Sequence, residues 1–292
     1  MSTDVTDSAY LRTLDKITQV SIDNHYNVYK RFEWPDSLPS DARWMSPELM
    51  SIHGTEYENQ LDEPTRRLLG KWESINFYSL NIHGIRELIM EVTRRIHMPG
   101  YEDSSEFFHR FIGEENDHMW FFAQFCERYG PKIYPDVSFK LESTGDGLAE
   151  DFLIFARIVI FEEIVDYFNM RMGKDQRLDP HVQKINWVHH EDESRHIAGG
   201  RQIIKRLHER LRESASAEQL AKLDEYIKRY ISTSLASLYN PRVYADAGLP
   251  LPHAMRRELL QHPARRQRHR EFVKRIVDFM VGSQIITAAE FL

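Results

Sequence analysis

Residues 187–196, WVHHEDESRH, constrain the fold of this chain more than any other stretch. Read as helix, they put His189, Glu193 and His196 at positions i, i+4 and i+7, within about 60° of one another. One helix face then offers imidazole, carboxylate and imidazole, a donor set suited to iron or manganese. A second Glu-x-x-His, Glu115-Asn116-Asp117-His118, lies upstream. Helical bundles that hold two metals use this pair twice and add one carboxylate from each of two further helices. A chain built this way must bring four helices to one height.

The remaining sequence fits that demand. Almost no stretch alternates apolar and polar residues with period 2, so the fold class is all-α. The breakers predict helices at about 5–30, 63–97, 104–129, 148–172, 180–212, 217–239, 253–261 and 264–282. A short helix is expected near 47–52, and loops at 131–148 and 240–255. Pro64 suits a first turn, Ser104 or Ser105 a cap, and Asp179-Pro180 a cap and start. Pro99-Gly100, Gly130-Pro131 and Gly173 read as stops. The chain reads as one domain over 1–292 with a core bundle at about 63–239.

Heights along two helical hairpins select the single carboxylates. From Glu87 to Met98 is 11 residues, as is Ser104 to Glu115, each leg ~16 Å at 1.5 Å per residue. Glu91 would sit ~6 Å nearer the turn and Glu73 ~21 Å further from it. The apolar arc of this helix (Ile75, Tyr78, Ile82, Ile85, Ile89, Val92) lies largely opposite Glu87. Glu87 therefore needs a second buried face, with Leu80, Gly84 and Met90. In the second hairpin Glu162 matches Glu193 in height, and Glu163 points ~100° away as the alternative. The candidate ligands are Glu87, Glu115, His118, Glu162, His189, Glu193 and His196, with Glu91 and Glu163 as alternatives for the single carboxylates. His83, His97 and His190 read as ordinary helix-face residues, and Trp120-Phe121-Phe122 as core packing. Arg157 is an ion-pair partner or a substrate clamp.

Bulk properties narrow the function classes. A net charge of −7 gives no basic surface for nucleic acid. The single cysteine, Cys126, excludes internal disulfides and thiolate-cluster metal sites and fits a reducing, cytoplasmic setting. MSTDVTDSAY shows no basic region followed by an apolar run, so no signal peptide is expected. The most apolar stretch, 152–168, carries Arg157, Glu162, Glu163 and Asp166 and is not a membrane span.

The ordered set Glu87, Glu115-x-x-His118, Glu162, His189-x-x-x-Glu193-x-x-His196 resembles the non-haem diiron N-oxygenases of the AurF and CmlI type, over roughly residues 45–215. That family has a third histidine one turn before the second-half glutamate, where His189 stands. The resemblance implies a ferritin-like bundle with extra N- and C-terminal helices, two iron ions and O₂ as co-substrate. It implies a monooxygenase acting on an amine nitrogen, to hydroxylamine, nitroso or nitro, in small-molecule biosynthesis. The amine is free or tethered to a carrier, and a homodimer is expected. Without a flavin or Fe–S motif, electrons must come from an external reductase or ferredoxin, or hydrogen peroxide must take their place. Ribonucleotide reductase small subunits carry a radical tyrosine one turn after the first-half histidine, where this chain has Phe122. Ferritins and acyl-carrier-protein desaturases lack the counterpart of His189. A diiron or Mn/Fe oxidase acting on carbon, or a non-catalytic metal-binding bundle, are the alternatives. Arg86, Arg157 and Tyr167 are candidate pocket residues.

Overall fold

In the computed structural model, residues 2–136 and 144–291 are described, with side chains from residue 8 onward. Residues 137–143, part of the loop expected at 131–148, lie outside the described residues. Among the described residues all regular structure is helical. The helices are α1 (Ser2–Asp23), α2 (Val28–Arg31), α3 (Glu56–Gln60), α4 (Glu63–Thr93), α5 (Ser105–Tyr129), α6 (Gly147–Lys174), α7 (Pro180–Ser214), α8 (Ala217–Ser237), α9 (Pro241–Asp246), α10 (Pro252–Gln261) and α11 (Pro263–Gly282). No helix among them is long and apolar enough to cross a membrane.

Local chemistry starts these helices. Asp62 accepts from the Thr65 amide, with Pro64 in the first turn of α4. Asp146 accepts from the amides of Leu148 and Ala149 at α6, and Asp179 from that of His181 at α7. Ser216 and Gln219 form a reciprocal capping box at α8. Three sequence expectations change. Ser104 precedes α5 but does not cap it; its hydroxyl meets that of Tyr10 at 2.5 Å, tying α1 to the bundle. Gly173 does not stop α6, which runs on to Lys174. A Cβ on Gly173 would lie 3.0 Å from the backbone of Trp187, so its role is to let α6 and α7 approach. The loop expected at 240–255 contains the short helix α9, started by Asn240 and Pro241.

Two antiparallel hairpins, α4/α5 and α6/α7, form the core. α1 lies across α5 and α7, while α8 and α11 cover α6. Gly199 and Gly200 let α7 sit close to both neighbours: Phe107 of α5 fills the space beside one, Val159 of α6 beside the other. Tyr78 of α4 stacks on Phe122 of α5 with ring centres 5.1 Å apart. Phe77 stacks on Phe168 of α6 at 5.2 Å, and Gly84 receives the Phe161 ring of α6. At ~100° per residue, the α4 positions between those two directions are Asn81, Ile85 and Leu88, and these point to the bundle axis. Each buried aromatic or branched side chain here contributes about 1.5–3 kcal/mol.

Candidate metal centre

The two Glu-x-x-His pairs meet at the bundle axis. Donor atoms of Glu115, His118, Glu193 and His196 all lie within 4.8 Å of one another, and all four residues are buried. His118 Nδ1 lies 3.0 Å from Glu115 Oε1 and 3.8 Å from Glu193 Oε1. His196 Nδ1 lies 2.8 Å from Glu115 Oε1, 3.6 Å from Glu162 Oε2 and 3.7 Å from Glu193 Oε1. His189 Nε2 approaches Glu193 Oε1 at 3.0 Å. Despite these short separations, His189 Nε2, His196 Nδ1, Glu193 Oε2 and both oxygens of Glu162 have no hydrogen-bond partner. These atoms crowd around a shared centre. Buried acceptors left this way are costly, and divalent cations remove the cost. The donor set fits a pair of such ions.

The outward nitrogen of each imidazole is held separately. His118 Nε2 meets Asp192 Oδ2 at 3.0 Å, and His196 Nε2 meets Glu114 Oε2 at 2.8 Å. The arrangement is reciprocal: the acid just before each motif's glutamate reaches the histidine on the other helix. Arg195 bridges both acids, bonding Glu114 at 2.8 Å and Asp192 more closely. Tyr26 donates to Asp192 at 3.1 Å and Ser21 to Glu114 at 3.3 Å. His189 Nδ1 meets the Asn169 carboxamide at 2.5 Å. A carboxamide has the same shape either way round. In the turned form Asn169 Oδ1, otherwise unpartnered, accepts from Nδ1–H. Such outer acceptors orient a ligating imidazole and fix its tautomer.

Charge is tightly coupled here in the metal-free chain. Burial would lower His118, but Glu115 and Asp192 outweigh it and hold it up at about 9. Burial likewise works against His196, yet Glu114 and Glu115 raise it well above the ordinary histidine value. His189 is lowered by burial and by the His118 charge, so it stays neutral. Burial and the Glu162 charge push Glu193 well above the usual carboxylate range. Burial would raise Glu115, but the His118 and His196 charges hold it below that range.

The structure brings together Glu115, His118, Glu162, His189, Glu193 and His196, but not Glu87. The Glu87 side chain is 49% exposed, 3.8 Å from Arg86. The physical reason is angular: it points away from the Tyr78 face that packs on α5. Glu91 is no substitute, since Arg94 and Arg95 hold it. Glu163 is likewise removed as an alternative to Glu162. It accepts from Arg201 at 2.6 Å and from Arg275 at 2.5 Å. Sequence reasoning missed Glu114, Asp192 and Asn169. The signal for the first two was the doubled acid in both motifs, Glu114-Glu115 and Asp192-Glu193. Of the pocket candidates, Arg157 lies over the Tyr230 ring at 5.2 Å and lines a cavity of about 200 Å³ between α4, α6 and α8. Arg86 instead pairs with Asp136, and Tyr167 packs against Phe272. The cavity's α6 wall includes Ile158, Phe161 and Val165, which flank Glu162 in sequence.

The sequence matches the family of the p-aminobenzoate N-oxygenase AurF over residues 7–283. The chain belongs to that family. The match extends well beyond the 45–215 stretch that carries the motifs, taking in most of α1 and all of α11. The AurF assignment places the helical architecture among ferritin-like diiron bundles and the chain among oxidoreductases. A comparison with curated proteins gives no match.

Proposed function

We propose that this chain is an O₂-dependent monooxygenase that oxidises an amine nitrogen at two iron ions held by Glu115, His118, Glu162, His189, Glu193 and His196. One observation carries the reading. Three buried imidazoles turn one nitrogen to a shared centre and the other to Asp192, Glu114 or Asn169. Iron bound there would supply O₂ activation and the redox change.

The chain's own residues do the rest. Phe111 packs edge-on against His196 at 4.6 Å, and Phe122 packs against His189 at 5.0 Å. These rings keep water from the donors and fix the imidazole planes. The neighbouring cavity, at about 200 Å³, exceeds the roughly 150 Å³ that admits benzene. Phe77, Leu80, Ile154 and Phe161 make much of its wall apolar, with Arg157 and Asn81 among the polar groups, which suits an arylamine with small substituents. Oxidation to the hydroxylamine consumes the amine, O₂, two electrons and two protons, and yields water as the second product. The electrons come from an external reductase or ferredoxin.

The test loads the chain with Fe²⁺ and supplies reductant, isotope-labelled O₂ and a panel of amines. Mass spectrometry should find one labelled oxygen on the amine nitrogen. Label on carbon, or no turnover by fully loaded protein, would overturn the proposal.

A further inference from the structure

Resting on the two-metal reading, one feature of α4 goes beyond it. A four-helix dimetal site asks each single-carboxylate helix for a donor, and α6 provides Glu162. The acids on α4 are Glu63, Glu73, Glu87 and Glu91. Glu63 is held by Arg43, Arg66 and Arg67. Glu73 accepts from the Ser51 amide at 3.0 Å. Glu87 is exposed and Glu91 is paired, as described above. None of them reaches the cluster.

Asn81 stands where that donor is needed. It lies on the axis-facing side of α4, between the residues that meet α5 and those that meet α6. Its height can be read from three contacts. Phe161 seated at Gly84 puts Glu162 about two residues, ~3 Å, from Asn81 along the axis. Tyr78 stacked on Phe122 puts His118 level with Asn81 to within about one residue. The Tyr78 hydroxyl bonded to Asn186 puts His189 at the same level, since both lie three residues further on helices running in one direction. Asn81 is fully buried. Its Nδ2 donates to the Phe77 carbonyl at 2.7 Å, while Oδ1 has no partner. It also lines the cavity between α4, α6 and α8.

We propose that Asn81 supplies the α4 donor to the metal centre through its amide oxygen, in place of a carboxylate. A neutral oxygen is a competent ligand for a hard cation but brings no charge. Three carboxylates, Glu115, Glu162 and Glu193, would then face two divalent cations, and the α4 donor would add no fourth negative charge. The metal position beside Asn81 is the more weakly held. An ion held there would lie on the side of the cavity that Asn81 lines, between α4, α6 and α8.

The test is a calorimetric titration of the metal-free full chain with Co²⁺. The native chain should take two ions in two steps, the second weaker by about tenfold or more. Asn81→Asp, which keeps the shape and adds the charge, should tighten the second step by about tenfold. Asn81→Leu, which removes the donor, should weaken or abolish the second step and leave the first within about threefold. Circular dichroism checks that each variant folds, and Asn81→Asp decides alone if the leucine variant does not. Two ions bound with an unchanged second step in Asn81→Asp would overturn this inference and leave the dimetal reading standing. No ion bound by the native chain would overturn both.

Discussion

Loading the centre should expel protons, and the number follows from the site. In the metal-free chain His118 is held at about 9, and His196 is also raised above the ordinary histidine value. Glu193 is raised by burial and the Glu162 charge, while His189 is already neutral. A metal requires free imidazole nitrogens and ionised carboxylates, so it competes with those protons. At neutral pH, His118 and His196 each release one proton, and Glu193 releases whatever share it still holds. The expected release is about two to three protons per chain on binding two ions. Each proton is worth about tenfold in apparent affinity per pH unit, so pair binding should tighten ~100- to 1000-fold per unit. The dependence should flatten as pH passes about 9, where His118 loses its proton unaided. The raised values of His118 and His196 stabilise the metal-free fold: that contribution is full below the ordinary histidine value and fades as pH rises through about 9. Titrations in buffers of different ionisation enthalpy measure the release directly. A release near zero, or an affinity flat between about pH 6 and 8, would refute the electrostatic reasoning.

The outer acids give a separable effect: Asp192→Asn and Glu114→Gln should each weaken metal binding by about 10–100-fold without unfolding the chain, as read by calorimetry and circular dichroism. The adjacent glutamates of α6 should part company. Glu162→Gln should lose metal and keep its fold, whereas Glu163→Gln should keep metal but lose about 1–3 kcal/mol of stability in denaturant titration, because Arg201 and Arg275 lose their shared carboxylate. Gly173→Ala gains up to about 1 kcal/mol of helix preference but presses a Cβ against the Trp187 backbone. Overpacking of about 1–3 kcal/mol should win and lower the melting temperature by a few degrees.

Much of this was legible in the sequence because helix periodicity and motif spacing are local. His189, Glu193 and His196 share a face whatever surrounds them, and capping of α7 by Asp179 needs only neighbouring amides. The α4 donor was not legible, because equal distance from a turn fixes height but not direction. Glu87 has a suitable height and faces solvent. Asn81 faces the axis but is not a carboxylate, so a search for acids passes over it. The exchange of Glu114 and Asp192 between α5 and α7 depends on how those two helices pack, which no spacing within one helix encodes. Arg201 and Arg275, which claim Glu163, come from two other helices.

The most direct measurement is anomalous X-ray scattering at the iron edge from crystals of the Fe²⁺-loaded chain. The account predicts two peaks per chain, enclosed by Glu115, His118, Glu162, His189, Glu193 and His196, with Asn81 beside one of them and Glu87 beside neither. A single peak, no peak, or a peak ligated by Glu87 would contradict it.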